Sequence, residues 1–305
     1  MQTIEAIKKK IEVTNDLHSI VKTMKTLAAV SIRQYENTVT SIGEYHRTIE
    51  MGLQIVLKNM PGVWHDQKSS DNQRVGIIIF GSDQGLCGQF NERIASYFLE
   101  TMQQNHILQE SRRVLAVGTR VAGRIEGLGQ PVEDCFSAPG SLSGFVPLVH
   151  KLLLKMESWQ TVEKLEQFHL FYNQPLSKAS FLPNGFRLLP LAKDWFECLA
   201  KKTWPTNNIP MFTLDSQKLF SSLIRQYVSV RLFRALAESL MSENASRLAA
   251  MQVAEKNIED RLEELTAQFQ HERQSSITEE LLDIMSGFEA LTGGSKTENK
   301  PSQGH

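Results

Sequence analysis

The sequence predicts an α/β domain inserted between two long terminal helices that pair as an antiparallel, left-handed coiled coil. Three observations predict this class. Apolar residues recur at steps of three and four along both ends of the chain. Both ends run for long stretches without Gly or Pro, the residues that break helices. The middle changes to short apolar runs separated by turn residues, the texture of alternating strands and helices.

At the N-terminal end, no Gly or Pro occurs from Met1 to Ile42. Ile4, Ile7, Ile11, Leu17, Val21, Met24, Ala28, Ile32, Tyr35, Val39 and Ile42 mark an apolar stripe. It continues through Ile49, Leu53 and Val56, past weak points at Gly43 and Gly52, until Asn59-Met60-Pro61-Gly62 stops it. The first unit is therefore a helix over residues 1–60, about 80 Å long at roughly 1.5 Å per residue.

Residues 74–205 form the central α/β domain. Val75 to Phe80 reads as a buried strand, Phe90 to Met102 as a helix, and Val114 to Val117 as a second strand. A helix around Val146 to Trp159 precedes a strand from Phe168 to Tyr172, and Arg187 to Leu191 adds an edge strand. Strands alternating with such helices predict a mostly parallel, Rossmann-like sheet.

The C-terminal helix, residues 210–290, is N-capped near Asp215 or Ser216 and meets no Gly or Pro between Pro210 and Gly287. Its predicted seam passes through Leu219, Leu223, Tyr227, Val230, Phe233, Ala237, Leu240, Asn244, Leu248 and Met251. It then follows Ile258, Leu262, Leu265, Phe269, Ile277, Leu281 and Ile284. A spacing near 3.5 under-winds a helix into a left-handed supercoil. Pairing with the N-terminal helix is the simplest arrangement, because two seams in one chain meet without translational cost; a homodimeric coiled coil is the alternative. Residues 292–305 carry no apolar content and read as a disordered tail.

Composition excludes several functions. The chain has 305 residues with 33 basic and 34 acidic side chains, a formal charge of −1 that gives no general attraction to nucleic acid or anionic lipid. Cys87, Cys135 and Cys198 are too dispersed for a disulfide framework or a CxxC metal site. The polar N-terminus, with Glu5 and Glu12, reads as neither signal nor transit peptide, and no apolar run reaches the roughly 20 residues of a membrane span. Eight scattered histidines, without HxxxH or HExxH, predict no metal site, and His18 and His46 read as surface residues of the first helix.

The Gly-rich turn Gly81-Ser82-Asp83-Gln84-Gly85-Leu86-Cys87-Gly88 follows a strand and opens a helix, the place where nucleotide folds cradle phosphate. It lacks the Lys-Ser/Thr of a P-loop and the GxGxxG spacing of a dinucleotide fingerprint, so a structural turn is the stronger reading. Cys87 has no nearby His in sequence and reads as a packing residue. With no coherent catalytic set, the chain reads as a mechanical or binding protein without cofactor. Lys8-Lys9-Lys10, Lys22, Lys25 and Arg33 form either a solvated face or a charged surface that meets acidic loops of a partner.

Specific segments resemble the gamma subunit of F-type ATP synthases. Ile7-Lys8-Lys9-Lys10-Ile11 through Met24-Lys25-Thr26-Leu27-Ala28-Ala29 is similar to IKxRI…AMKMVAA, and Gly81 to Asn91 to SDRGLCGxxN. Ser242 to Met251 resembles SExxARMxAM, and Arg273 to Leu281 resembles RQxxITxEL, at the separation the family shows. The resemblance implies a non-catalytic rotor shaft in a membrane-bound complex. Its implied partners are the alpha and beta head subunits, the small epsilon subunit and the membrane c-subunit ring, at the cytoplasmic face of a bacterial membrane. It also implies rotor–head contacts at Met24, Lys25, Arg247, Arg273, Gln274, Thr278 and Glu280. Gln84, Thr26-Leu27 and Ala254 to Ile258 depart from the family pattern, which implies either a divergent gamma subunit or a second-copy one, with an alternate-operon type as one form of it. A free-standing coiled-coil scaffold with a ligand-binding α/β domain is the competing class, and a nucleotide enzyme rests on the Gly-rich turn alone.

Overall fold

The computed structural model describes residues 3–59, 74–177, 180–205 and 210–293. In chain order the elements are α1 (Ile4–Asn59), β1 (Val75–Phe80), α2 (Phe90–Gln104), β2 (Arg112–Val117), α3 (Thr119–Gly127) and β3 (Asp134–Phe136). There follow α4 (Phe145–Val162), β4 (Gln167–Ser177), β5 (Ser180–Leu189), α5 (Lys193–Lys201) and α6 (Ser216–Gly293). Asp215 caps α6, its carboxylate accepting from the Lys218 amide at 3.1 Å. α6 runs through Thr292 and Gly293, the first two residues of the expected tail; the rest of that expected tail, residues 294–305, lies outside the described residues.

Packing divides the chain into two units, Met1–Met24 with Met251–His305, and Lys25–Ala250. The division cuts through both long helices instead of falling at their ends. In the larger unit the sheet order is β3-β2-β1-β4-β5, with β1, β2, β3 and β4 parallel and β5 antiparallel to β4. β1 is buried along its whole length, as a central strand covered on both faces must be. Its alternation sends Ile78 and Phe80 to one face with α4 and α6, and Val75, Ile77 and Ile79 to the other with α2 and α3.

The middle of α6 belongs to this domain's core. Leu232 and every residue from Ala235 to Leu240 are buried, as are Ser242 to Ala245. A helix buried all round sits between layers: Leu232, Leu236 and Leu240 share one cluster with sheet residues Ile78 and Phe80, with Phe145 of α4 and with Tyr35 of α1. The antiparallel course of α1 and α6 in this unit shows in side-chain pairs. Gly52 lies against Leu223, Tyr45 donates to Gln226 at 2.7 Å, and Tyr35 feels the charges of Glu243 and Arg247. A third cluster joins Ile49, Leu53 and Leu57 of α1 to Phe196 and Leu199 of α5 and to Tyr227 and Val230 of α6.

The predicted class holds, with local corrections. His18 and His46 are not surface residues: His18 is partly covered, and His46 packs against Tyr227 with ring centroids 5.2 Å apart. Burial pushes the His46 imidazole below its ordinary pKa. Leu17, assigned to the seam, is 48% exposed, and Thr14 and His18 hold the covered positions. Ile277, Leu281 and Ile284, the last seam residues, are also exposed. The edge strand begins earlier than expected, at Ser180, because it pairs with an extended β4.

Candidate functional site

Strand order reverses at β1, whose neighbours are β2 on one side and β4 on the other. In open α/β sheets the crevice beyond the strand C-termini at such a point is where ligands bind, and the Gly-rich turn follows β1 there. In this chain the protein fills the crevice with its own groups. Asp83 accepts from the Thr119 amide and from the Ala138 amide, each at 2.8 Å. Thr119 is the first residue of α3, so the Asp83 carboxylate stands where a phosphate would meet the helix N-terminus. Gly118 permits this approach: its φ is +114°, and a Cβ there would lie 2.8 Å from the Ser82 backbone.

The rest of the turn is closed internally. Asn91 accepts from the Ser82 amide at 3.0 Å and donates to the Ser82 hydroxyl at 2.8 Å. Cys87 is buried beside them, and burial pushes its thiol up, away from a reactive thiolate. α6 seals the outer side, where the Ser246 hydroxyl donates to the Cys87 carbonyl at 2.5 Å. Gly88, at φ +58°, turns the chain past that hydroxyl.

One turn of α6 next to this contact carries a buried ion pair. Arg247 Nη2 donates to Glu243 Oε1 at 2.7 Å, with only 9% and 8% of the two side chains exposed. Arg247 Nη1 also reaches Asn244 Oδ1 at 3.4 Å. Burial holds the Glu243 carboxyl above its ordinary range against the pull of Arg247, and the Asp83 charge adds to the rise. Glu243 Oε2 and Arg247 Nε have no hydrogen-bond partner among the described residues. The junction is thus polar, close-packed and incompletely satisfied.

The structure separates the seven expected contact residues. Arg247 lies in the larger unit, buried and engaged within the chain. Lys25 is in the same unit and half-covered, whereas Met24, also half-covered, closes the α1 segment of the smaller unit. Arg273, Gln274, Thr278 and Glu280 fall on one exposed stretch of α6 in the smaller unit, where the Thr278 hydroxyl donates to the Gln274 carbonyl at 2.9 Å. The sequence reading missed Glu243, Ser246 and Asp83. Glu243 was detectable as an acid one helical turn before an arginine, but the roles of Ser246 and Asp83 arise from contacts across the fold.

A cleft of about 450 Å³ opens near the start of β2, lined by Arg112, Arg113, Val114, Pro131, Glu133 and Glu163. Its arginines are already occupied: Arg113 pairs with Glu163 at 2.7 Å, and Arg112 donates to the Ile107 carbonyl and to Gln130. Among the described residues, no helix is long and apolar enough to cross a membrane.

Solved structures share the fold. A chain of the Euglena gracilis mitochondrial ATP synthase assembly of OSCP, F1 and c-ring aligns with a TM-score of 0.65 at 18% identity, covering 99% of each chain. A chain of the Tetrahymena thermophila mitochondrial ATP synthase central stalk and c-ring aligns with a TM-score of 0.53 at 22% identity, over 77% of this chain and 99% of that one. The ATP synthase gamma chain of Desulfitobacterium hafniense is 28% identical over 299 residues, covering 95% of this chain and all of the relative. That of Buchnera aphidicola subsp. Diuraphis noxia is 24% identical over 295 residues, 96% of this chain and all of the relative. The family model for ATP synthase matches residues 3–291. A chain that matches this model almost from end to end, and gamma chains over their full length, belongs to the ATP synthase gamma-chain family.

Proposed function

We propose that this chain is the central stalk of an F-type ATP synthase, a non-catalytic shaft that couples ion flow through a membrane ring to conformational change in the head. Its partners on this reading are the alpha and beta head subunits, the epsilon subunit and the c-subunit ring. It works as a peripheral subunit at the cytoplasmic face of a bacterial membrane. The observation that carries the reading is the last part of α6. Ile277, Leu281, Leu282, Ile284, Met285 and Phe288 are between 49% and 69% exposed, too much apolar surface in one stretch for a surface that meets only water. A socket in the head accounts for it.

Arg273, Gln274, Thr278 and Glu280 supply polar contacts beside this apolar segment, and Met24 and Lys25 supply contacts on α1. Arg247 acts differently: paired with Glu243, it braces from within the turn of α6 whose Ser246 donates to the Gly-rich turn, and so helps to fix the face that neighbouring subunits meet. An asymmetric shaft biases each catalytic subunit by differential contact. Switching one site from mostly open to mostly closed requires about 5.5 kcal/mol of such bias. The nucleotide-enzyme reading loses support, since Asp83 and Ser246 occupy the crevice it needs.

Capture of the tagged chain from detergent-solubilised membranes tests the proposal. Head and ring subunits are expected in the eluate by mass, and replacement of Ile277, Leu281 and Ile284 by Ser is expected to reduce the recovered head subunits. An eluate holding the chain alone, or only a second copy of it, contradicts the proposal.

A further inference from the structure

His18 stands at a covered position of α1, in the place where the three-four alternation of Ile4, Ile7 and Ile11 continues through Thr14 to Val21. An imidazole there is unusual, and its bonding is incomplete. The Nε2 atom is shut off from water and makes no hydrogen bond among the described residues, although Glu259 Oε1 of α6 lies 3.5 Å away. Glu255 is one helical turn before Glu259 and shares its face. A ring nitrogen of His18 and one oxygen from each carboxylate all lie within 4.8 Å of one another. All three residues belong to the smaller unit.

We infer that His18, Glu255 and Glu259 form a binding site for a divalent cation of the zinc class, bridging α1 and α6. The donor set decides the class. One imidazole with two carboxylates suits a borderline ion such as Zn²⁺, whereas Mg²⁺ requires a near-octahedral shell of oxygens. Bonds of about 2.0–2.2 Å in tetrahedral geometry place ligand atoms roughly 3.3–3.6 Å apart, and the His18–Glu259 separation already meets this. Three protein ligands leave the fourth position to solvent, and Glu259, 59% exposed, provides the way in. The cation gives the unbonded Nε2 its missing partner and relieves the repulsion between the paired carboxylates. Glu255 takes part in another interaction within the chain, so the ion binds in competition with it.

Sequence spacing could not reveal this site. HxxxH-type motifs find ligands that share a helix, whereas His18 and Glu259 meet only because the two ends of the chain are packed together. The inference is independent of the stalk reading.

Zn²⁺ titration of the full-length, chelator-treated chain against a chromophoric chelator tests it, with far-UV circular dichroism to confirm that each variant stays helical. One equivalent is expected to bind, with affinity at least about tenfold weaker in H18Q and in E259Q, unchanged in H271Q at an exposed histidine elsewhere on α6, and insensitive to Mg²⁺. Glu259 is exposed enough that E259Q remains informative should H18Q lose helicity. Absence of Zn²⁺ binding, or equal affinity in H18Q, E259Q and the parent chain, overturns the inference.

Discussion

Glu243 and Arg247 form a buried pair of which the sequence singles out only the arginine. The Ser242–Met251 motif makes Arg247 conspicuous, and an exposed contact is the natural expectation for a charged residue on a coiled coil. Its burial depends on how the Gly-rich turn closes over α6, through Ser246 and Cys87, a contact that no local pattern encodes. Removing one partner of a buried ion pair leaves an uncompensated charge. R247A is therefore expected to destabilise the chain by about 3–5 kcal/mol in urea unfolding. The double variant E243L/R247M is expected to recover most of that loss, because it buries neither charge. Equal stability of R247A and the parent would show that the pair is not buried in solution. His18 gives the converse case. The six-residue step between Ile11 and Leu17 breaks the three-four rhythm, and restoring it puts Thr14 and His18 in the seam, so the anomaly was visible in the sequence.

At the scale of elements, strong periodicity was legible and weak or short elements were not. β1, α2 and α4 lie within a few residues of expectation, because VGIIIF and the two amphipathic runs are unambiguous. α3 escaped notice because Gly123 and Gly127 lower its helix propensity. α5 spans only nine residues and is held by Phe196 and Leu199 against α1 and α6; an isolated helix of that length is unstable in water, so tertiary packing forms it. The three-residue β3 carries too little pattern to detect. The far end of the α6 seam failed for a physical reason: with His18 opposite Glu259 and the two helices antiparallel, residues beyond Arg273 have passed Ile4, where α1 starts. The register makes a quantitative contrast. L53A removes a fully buried side chain from the α1–α5–α6 cluster and is expected to cost about 2–5 kcal/mol. L17A, at an exposed position, is expected to stay within about 0.5 kcal/mol of the parent. Thermal or urea unfolding of both variants checks the register, and the reverse ranking would require a different one.

At the scale of the whole molecule, the decisive feature is that α1 and α6 each run through both packing units without interruption. The middle of α6 is built into the core of the α/β domain, so a torque applied to that domain enters the helix through buried contacts. Fold class and helix pairing were legible because long seams leave a strong periodic signal. The closure of the switch-point crevice was not, because it depends on Asp83, Ser246 and Gly118 meeting from distant parts of the chain. The most direct measurement of the central claim is rotation. Cys135 and Cys198 are exposed while Cys87 is buried, so a reporter rod can be attached to the α/β domain of a complex whose head is fixed to a surface. On addition of ATP the account predicts that the rod turns, and keeps turning in one direction. A rod that stays still while the same complex hydrolyses ATP would contradict it.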